Sequence, residues 1–170
     1  PSVPLLANGV RRIVAERGHR TTAPLIRDVV TKLRALMARP HCVGTTRAFA
    51  ASYTAGVLLR LHDLLEETEL REACELYAEA MKASPDTVAQ EVLGLAAEAK
   101  LRLAKMLLAA GSGSEEGRTL LEDAIALFAS CMATSSRGSD AYDEQVAHSK
   151  LGEALVRLAS LSGEVAHAEL

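Results

Sequence analysis

The sequence of 170 residues predicts an all-α fold with about seven helices. Hydrophobic residues make up 49% of the chain, and much of that share is Ala and Leu, which favour helices. Aromatic residues are only 3%, and runs that alternate apolar with polar residues, as half-buried strands do, are absent. Two short phrases also recur along the chain. These observations together indicate packed helical hairpins, and the length is sufficient for a substantial core.

The first two predicted helices form an N-terminal hairpin, residues 1–44. The first helix covers about 3–17 and ends at Gly18. The second begins after Thr22, a favourable N-cap residue, and has Pro24 in its first turn. It ends near residue 39, because the residue before Pro40 is disfavoured in the α conformation.

Five further helices follow, each with apolar residues at helical spacing, and they are predicted at about 45–65, 69–83, 87–110, 115–133 and 140–161. The one that ends near residue 110 is apolar on nearly all sides, which predicts a central position. A short tail, 162–170, completes the chain. The loops are short, so successive helices are expected to pack antiparallel. Nothing in the sequence marks a domain boundary, and we predict a single domain.

The recurring phrases suggest repeated hairpins. The pattern apolar-Arg-Leu-x-x-apolar occurs at 59–64, 101–106 and 156–161, so that its copies lie 42 and 55 residues apart. A second pattern occurs at 72–81 and again at 123–132, which is an offset of 51 residues. Two alternating helix types at offsets near 50 are typical of helical-repeat proteins, whose extended surfaces bind partners.

The segment from Ala73 to Pro85 resembles the second helix and exit turn of a tetratricopeptide repeat. The family places Ala, an aromatic, Ala and Pro at spacings of four, three and five, which here fall on Ala73, Tyr77, Ala80 and Pro85. A second copy keeps Ala124, Phe128 and Cys131 but has Ser136 in place of the Pro. The offsets exceed the family's period of about 34 residues, and the characteristic Trp is absent.

Residues 45–161 thus resemble a divergent tetratricopeptide or pentatricopeptide array. The resemblance implies a right-handed stack of about three hairpins with an extra end helix. In size and class the chain is also similar to the helical-repeat accessory subunit on the F1 sector of euglenozoan mitochondrial ATP synthase. A first residue that is Pro instead of Met is consistent with processing. The mitochondrial matrix is therefore the expected location, and the cytoplasm is the alternative.

Charge is distributed unevenly along the chain. Residues 1–47 carry nine Arg and Lys against two acids, whereas residues 48–170 carry ten against twenty. An uneven charge distribution of this kind indicates which partners the chain could bind and says little about its fold. The basic end could bind nucleic acid, an acidic protein or anionic lipid, or it could face the acidic end of a second copy or stay solvated. The acidic stretch 66–79 could likewise attract a basic peptide or form a solvated helix face.

Nine arginines are the candidate partner-binding residues. Six lie in the basic end and three in the recurring phrase, namely Arg11, Arg12, Arg17, Arg20, Arg27, Arg34, Arg60, Arg102 and Arg157. For the last three, the alternative is an ion pair with a carboxylate of the neighbouring hairpin.

No chemistry-bearing motif stands out, so we expect no enzyme, no metal and no cofactor. Isolated His and Glu pairs one turn apart, such as His62 with Glu66, lack the further ligands that a metal site needs. The three cysteines form no C-x-x-C pair, which favours a reducing compartment. The longest uncharged runs, Ala48–Leu59 and Ala124–Ser136, are too short to span a bilayer.

The expected function is therefore that of a non-catalytic scaffold or accessory subunit that docks on a larger protein assembly. The alternative is an RNA-binding protein of the pentatricopeptide kind that uses the basic N-terminal region. Against RNA, the repeat portion is acidic and the basic region lacks stacking aromatics.

Overall fold

A computed structural model describes residues 19–83, 90–111, 114–134 and 141–168 of the chain. Over these ranges the protein is all-α, as predicted, and contains no strand. The helices are α1 (His19–Met37), α2 (Gly44–Leu58), α3 (Glu67–Ala83), α4 (Gln90–Ala109), α5 (Ser114–Thr134) and α6 (Ala141–Ala168), with a 3₁₀ helix at Leu59–Leu64. The first predicted helix, at 3–17, lies outside the described residues.

The chain divides into two compact units, Pro1–Val88 and Ala89–Leu170. In the first unit, α1 packs against α2 and the 3₁₀ helix, and α3 packs against α2. In the second unit, α5 packs against both α4 and α6, and α4 also touches α6. Consecutive helices therefore form hairpins within each unit, as the short loops predicted. The single-domain organisation stays a prediction.

The core of the first unit is built from one stripe of each helix. Ile26, Val30 and Leu33 lie on one face of α1 at helical spacing and are fully buried. Tyr77 of α3 is also fully buried, and its hydroxyl lies 3.5 Å from the position that a Cβ would take at Gly56 of α2. That distance is ordinary van der Waals contact, so Tyr77 packs against α2 at Gly56. The tetratricopeptide-like arrangement stays a prediction.

Two boundaries in the first unit differ from the predictions. Helix α1 begins at His19, before Thr22, which is buried within the helix instead of capping it. The prediction of one continuous helix to residue 65 is wrong, since α2 ends at Leu58 and tightens into the 3₁₀ helix. Three residues per turn align Leu58, Leu61 and Leu64 on one side, and this 3₁₀ segment packs against α1.

The core of the second unit is centred on Phe128, Leu101 and Leu121, with Ala97 and Ala124 between them. None of the side chains at 92–108 of α4 is exposed, in agreement with a helix that is apolar on nearly all sides. Small residues allow the close packing of α4 on α5.

Two further features define the helix ends of this unit. Gly111 has a φ of 67° directly after α4, and its amide donates to the carbonyl of Leu108 at 3.2 Å, a common glycine termination. Helix α6 continues through Gly163 to Ala168, so most of the predicted tail is helical.

Candidate protein-interaction surfaces

Three arginines of α1 and α2 bond to three glutamates of α3, and we call this set the arginine–glutamate ladder. Arg27 Nε lies 2.8 Å from Glu69 Oε1, and Arg34 Nε lies 2.6 Å from Glu72 Oε1. Arg47 bonds to Glu79. The glutamates at 69, 72 and 79 share one face of α3, and the arginines at 27 and 34 share one face of α1. The ladder therefore ties both neighbouring helices to α3.

Glu69 has two roles in the ladder. One carboxylate oxygen accepts from the backbone amide of Glu66 at 3.0 Å, which is the back-bond of a capping box at the start of α3. Arg27 donates to both oxygens of the same carboxylate. Burial raises the pKa of Glu69, but the hydrogen bonds from Arg27 and the Glu66 amide outweigh this, so the pKa lies below its ordinary value of 4.5.

Two ladder arginines also satisfy carbonyl groups at helix ends. Arg47 Nη1 donates to the carbonyl of Met37 at 3.0 Å, at the last residue of α1. Arg27 Nη2 donates to the carbonyl of Leu64 at 3.3 Å, at the end of the 3₁₀ helix. Carbonyls in the last turn have no partner within their own helix, so these bonds fix the chain where it changes direction.

The ladder places two of the candidate residues in structural roles. Arg27 and Arg34 face the acidic stretch of α3 within their own unit, so the described part of the basic end is largely neutralised. The hydrogen bonds to the carboxylates raise the pKa of both guanidinium groups. Arg11, Arg12 and Arg17 lie outside the described residues, and the side chain of Arg20 is not described. For these four, partner binding stays a prediction.

The arginines of the recurring phrase occupy different settings. Arg60 is half-buried in the 3₁₀ helix. Arg102 pairs with Glu98 one turn earlier in α4, and Arg157 pairs with Glu153 one turn earlier in α6. The expected carboxylate partners are thus present for Arg102 and Arg157, but these pairs lie within one helix and not across two hairpins.

Two lysines that were not among the predicted site residues make cross-helix bonds in the described part of the second unit. Lys105 Nζ of α4 lies 2.6 Å from Glu153 Oε1 of α6, and Lys100 of α4 bonds to Asp123 of α5. The hydrogen bond from Lys105 lowers the pKa of Glu153 despite partial burial, and Lys150 and Arg157 lower it further. Glu153 is therefore the centre of a cluster with three cations.

The outer face of α2 is the most aromatic part of the described surface. Phe49 is 54% exposed, and Ser52, Tyr53 and Gly56 follow it at helical spacing and are half-buried. The chain has five aromatic residues. Two of these, Tyr77 and Phe128, are buried in the cores, whereas Phe49 beside Tyr53 belongs to neither core that the described residues form.

The outer face of α6 is apolar or uncharged. Leu155 is 48% exposed and Val156 is 67% exposed. Neighbouring positions on this face carry small or polar side chains and are also exposed, namely Gln145, Ser149, Gly152, Ala159 and Ser160. The core-facing side of the same helix is formed by Ala147 and Ala154, with Leu151, Leu158 and Leu161 packed beside them.

Potential metal ligands do not cluster in the described ranges, and the prediction that the chain is not an enzyme stays a prediction. No group of three or more His, Cys, Asp or Glu is placed there to hold a metal ion. Cys42 and Cys131 are buried, Cys74 is half-buried, and none of the three is in a disulfide. Among the helices that the structure describes, none has the length and apolar character needed to cross a bilayer.

A comparison of the chain with protein-family models gives no match, and a comparison with curated proteins gives none either. The resemblance to tetratricopeptide and pentatricopeptide arrays therefore stays a prediction that depends on the residues quoted for it. The evidence for a function is therefore the exposed faces of α2 and α6 and the arginine–glutamate ladder.

Proposed function

We propose that this chain is a non-catalytic protein-interaction subunit that docks on a larger protein assembly. The observation that carries the proposal is the outer face of α2, where Phe49 is exposed beside Tyr53. Aromatic residues are enriched at the centres of protein interfaces and supply much of the binding energy there. The resemblance to a mitochondrial F1 accessory subunit makes an ATP synthase in the mitochondrial matrix our first candidate for the assembly.

The charge arrangement favours a protein partner over RNA. An RNA-binding surface presents its Arg and Lys side chains to phosphates. Arg27, Arg34 and Arg47 instead donate to carboxylates, which would have to be displaced. Exposed ion pairs of this kind contribute little stability, but they remove the local positive potential that attracts a polyanion. An RNA-binding role would therefore depend on residues 1–18.

The test is purification of the tagged full chain from its own cells, followed by mass spectrometry with and without ribonuclease. We expect a stoichiometric set of proteins that survives ribonuclease. The same purification with Phe49→Glu should lose these proteins, because a carboxylate cannot be buried without a partner at the centre of an interface. Phe49 is more than half exposed, so this variant should retain the thermal stability of the parent chain.

Ala129→Glu is the matched control, since Ala129 is also exposed on a helix but lies on α5. It should retain every partner. Loss of all partners on ribonuclease treatment would instead establish the RNA-binding alternative. Retention of the partners by Phe49→Glu would show that the face of α2 is not the docking surface.

A further inference from the structure

We propose that residues 1–18 fold back over the outer face of α2 and compete there with the protein partner. This rests on the proposed function, because it concerns what covers the same surface when the partner is absent. Residues 1–18 themselves lie outside the described residues, but their sequence and the position of their junction with α1 are known.

The N-terminal segment carries a stripe of apolar residues. They follow one another at spacings of three, four and three residues, namely Val3, Leu6, Val10 and Ile13. In the helix predicted at 3–17, this spacing sets the four residues on one face and Asn8 on the opposite side. An isolated helix of this length is only marginally stable in water, and packing of its apolar face supplies most of its stability. The segment therefore needs an apolar surface to pack against.

The outer face of α2 is such a surface, and it carries no charge. Arg47 is the only charged residue of α2, and it is already bonded to Glu79 and to the carbonyl of Met37. Phe49 is 54% exposed, and Tyr53, one turn later, is half-buried. A charged occupant would form no ion pair with this face, whereas an apolar helix stripe removes the aromatic ring of Phe49 from water.

The course of α1 brings the segment to this face. The carbonyl of Met37, at the end of α1, accepts from Arg47 in the first turn of α2, and Arg27 donates to the carbonyl of Leu64, beyond the end of α2. Helix α1 is therefore antiparallel to α2, and the first residue of α1 lies at the same end of the unit as the last turn of α2. A segment that turns back at Gly18 then runs alongside α2 in the same direction.

The lengths and spacings of the two helices agree. At 1.5 Å per residue, the helix predicted at 3–17 is about 22 Å long, and α2 has the same length of 15 residues. Counting back from the junction sets Leu6 level with Phe49 and Val10 level with Tyr53, and the members of each helix are four residues apart.

The covalent junction selects this occupant over a second copy. A joined segment has an effective concentration on the order of millimolar at the face that it can reach. A second copy or a partner reaches that concentration only when the protein itself is present at millimolar levels. Segment and partner exclude each other, so the apparent affinity for the partner is reduced by the fraction of chains in which the face is open.

The first test measures the cover in the purified full chain, without any partner. The chain has no Trp, so Phe49→Trp places a single fluorescent reporter on the face and keeps an aromatic side chain there. We expect a blue-shifted emission that acrylamide quenches weakly. Adding Leu6→Glu should shift the emission to longer wavelength and strengthen the quenching, because a carboxylate in the stripe cannot be buried against the ring.

Asn8→Glu is the matched control, since it adds the same charge on the opposite side of the segment. It should leave the emission and the quenching of the reporter chain unchanged. Equal emission and quenching in all three chains would overturn the proposal. Protection of the Trp that disappears on dilution would overturn it too, because that is the behaviour of a second copy and not of a joined segment.

Disulfide trapping tests the register and needs no charged variant. Val10→Cys combined with Tyr53→Cys should give an intramolecular disulfide under mild oxidation, with a yield that does not depend on protein concentration. Asn8→Cys combined with Tyr53→Cys should give much less. The unsubstituted chain, whose own cysteines are buried or half-buried, supplies the background. Equal yields from the two pairs would exclude the proposed packing of the segment on α2.

A third measurement connects the cover to the partner. In the purification from the chain's own cells, Leu6→Glu should recover more of the proteins that Phe49→Glu loses, about tenfold more if the face is covered in about nine chains of ten. Equal recovery by Leu6→Glu and the parent chain would refute the competition. If Phe49→Glu loses no protein, the proposed function fails, and the fluorescence and the cross-linking still decide whether the segment covers α2.

Discussion

Gly117 determines how closely α5 approaches α4. A Cβ at this position would lie 2.9 Å from Cγ and Cδ2 of Leu108, so either the leucine or the helix must move to accept a side chain. We expect Gly117→Ala to lower the free energy of unfolding by about 1 kcal/mol or more, as overpacking does, despite the better helix propensity of Ala. Urea unfolding followed by circular dichroism measures this.

Gly94→Ala is the matched control in the same unit. Its Cβ would lie 3.5 Å from Cys131 Sγ, which is ordinary van der Waals contact. The gain in helix propensity should then leave stability unchanged or raise it by up to about 1 kcal/mol. If both glycines respond alike, the close approach at Gly117 is not what limits the packing of this hairpin.

Glu153 should make part of the stability of the second unit dependent on pH. Its folded-state pKa lies below 4.5, chiefly because Lys105 donates a hydrogen bond to it. Because the pKa is lower in the folded state, the ionised Glu153 carboxylate stabilises the fold at neutral pH. This stabilisation is lost as the pH falls below about 4.5 and through the pKa of the folded state. Since the carboxylate is partly exposed, the contribution should be about 1 kcal/mol or less.

Comparison of the parent chain with Glu153→Gln over this pH range measures the effect. The parent chain should be the more stable at pH 7, and the difference should disappear in acid. A difference that stays constant from pH 7 to below pH 4 would show that the amide acts through packing and not through charge.

At the scale of the elements, the arginine–glutamate ladder connects α1 and α2 to α3. Arg34 and Glu72 share two hydrogen bonds, as Arg27 and Glu69 do, but Glu69 also accepts from the Glu66 amide at the start of α3. The Arg34–Glu72 pair is therefore better suited to measurement. A double-mutant cycle with Arg34→Ala and Glu72→Ala should give a coupling energy of up to about 1 kcal/mol that decreases with salt. A cycle of Arg34→Ala with Glu67→Ala, where the carboxylate of Glu67 bonds to Arg71 of the same helix, should give little or no coupling. Equal coupling in the two cycles would refute the specific role of the pair.

The spacing of apolar residues predicted where the helices lie, but it did not predict how individual helices begin and end. The apolar spacing at 70–81 predicted α3 to within two residues of its start, because one stripe of a helix has to be buried. The change from α2 to the 3₁₀ helix was missed, since Leu58, Leu61 and Leu65 have α-helical spacing whereas Leu58, Leu61 and Leu64 have 3₁₀ spacing, so the leucines of this segment suit both helix types. Glu66 and Glu69 start α3 through a back-bond that a search for Ser, Thr, Asp or Asn caps overlooks.

The candidate site was predicted less well than the fold, for a physical reason. The sequence showed which residues are charged, but the ladder joins residues 42, 38 and 32 positions apart, and only the packed structure shows such pairs. The sequence did contain one indication of these pairs. Arg27 and Arg34 share one face of α1, and Glu69 and Glu72 share one face of α3, so two complementary charged faces could be recognised. The exposure of Phe49 and of the α6 face depends on which sides of the helices are covered, and composition does not reveal that.

At the scale of the whole molecule, the division at residues 88 and 89 predicts separate folding. The second unit has its own core around Phe128, and its described cross-helix ion pairs join residues within it. We expect residues 89–170 alone to unfold cooperatively and to show the circular dichroism of a helical protein. Failure of this fragment to fold, together with a single transition for the full chain, would support the single domain that the sequence predicted.

The ladder also has a consequence for the order in which the protein is synthesised. Arg27 and Arg34 leave the ribosome 42 and 38 residues before the carboxylates to which they bond. Until α3 has been translated, Arg27 and Arg34 are without the carboxylates that pair with them in the folded unit. Helical hairpins with contacts between sequence neighbours form quickly, so the first unit can close before translation of the second is complete. These two arginines therefore pair with α3 only once the first unit has closed, and before that stage of synthesis their positive charges are not balanced by Glu69 and Glu72.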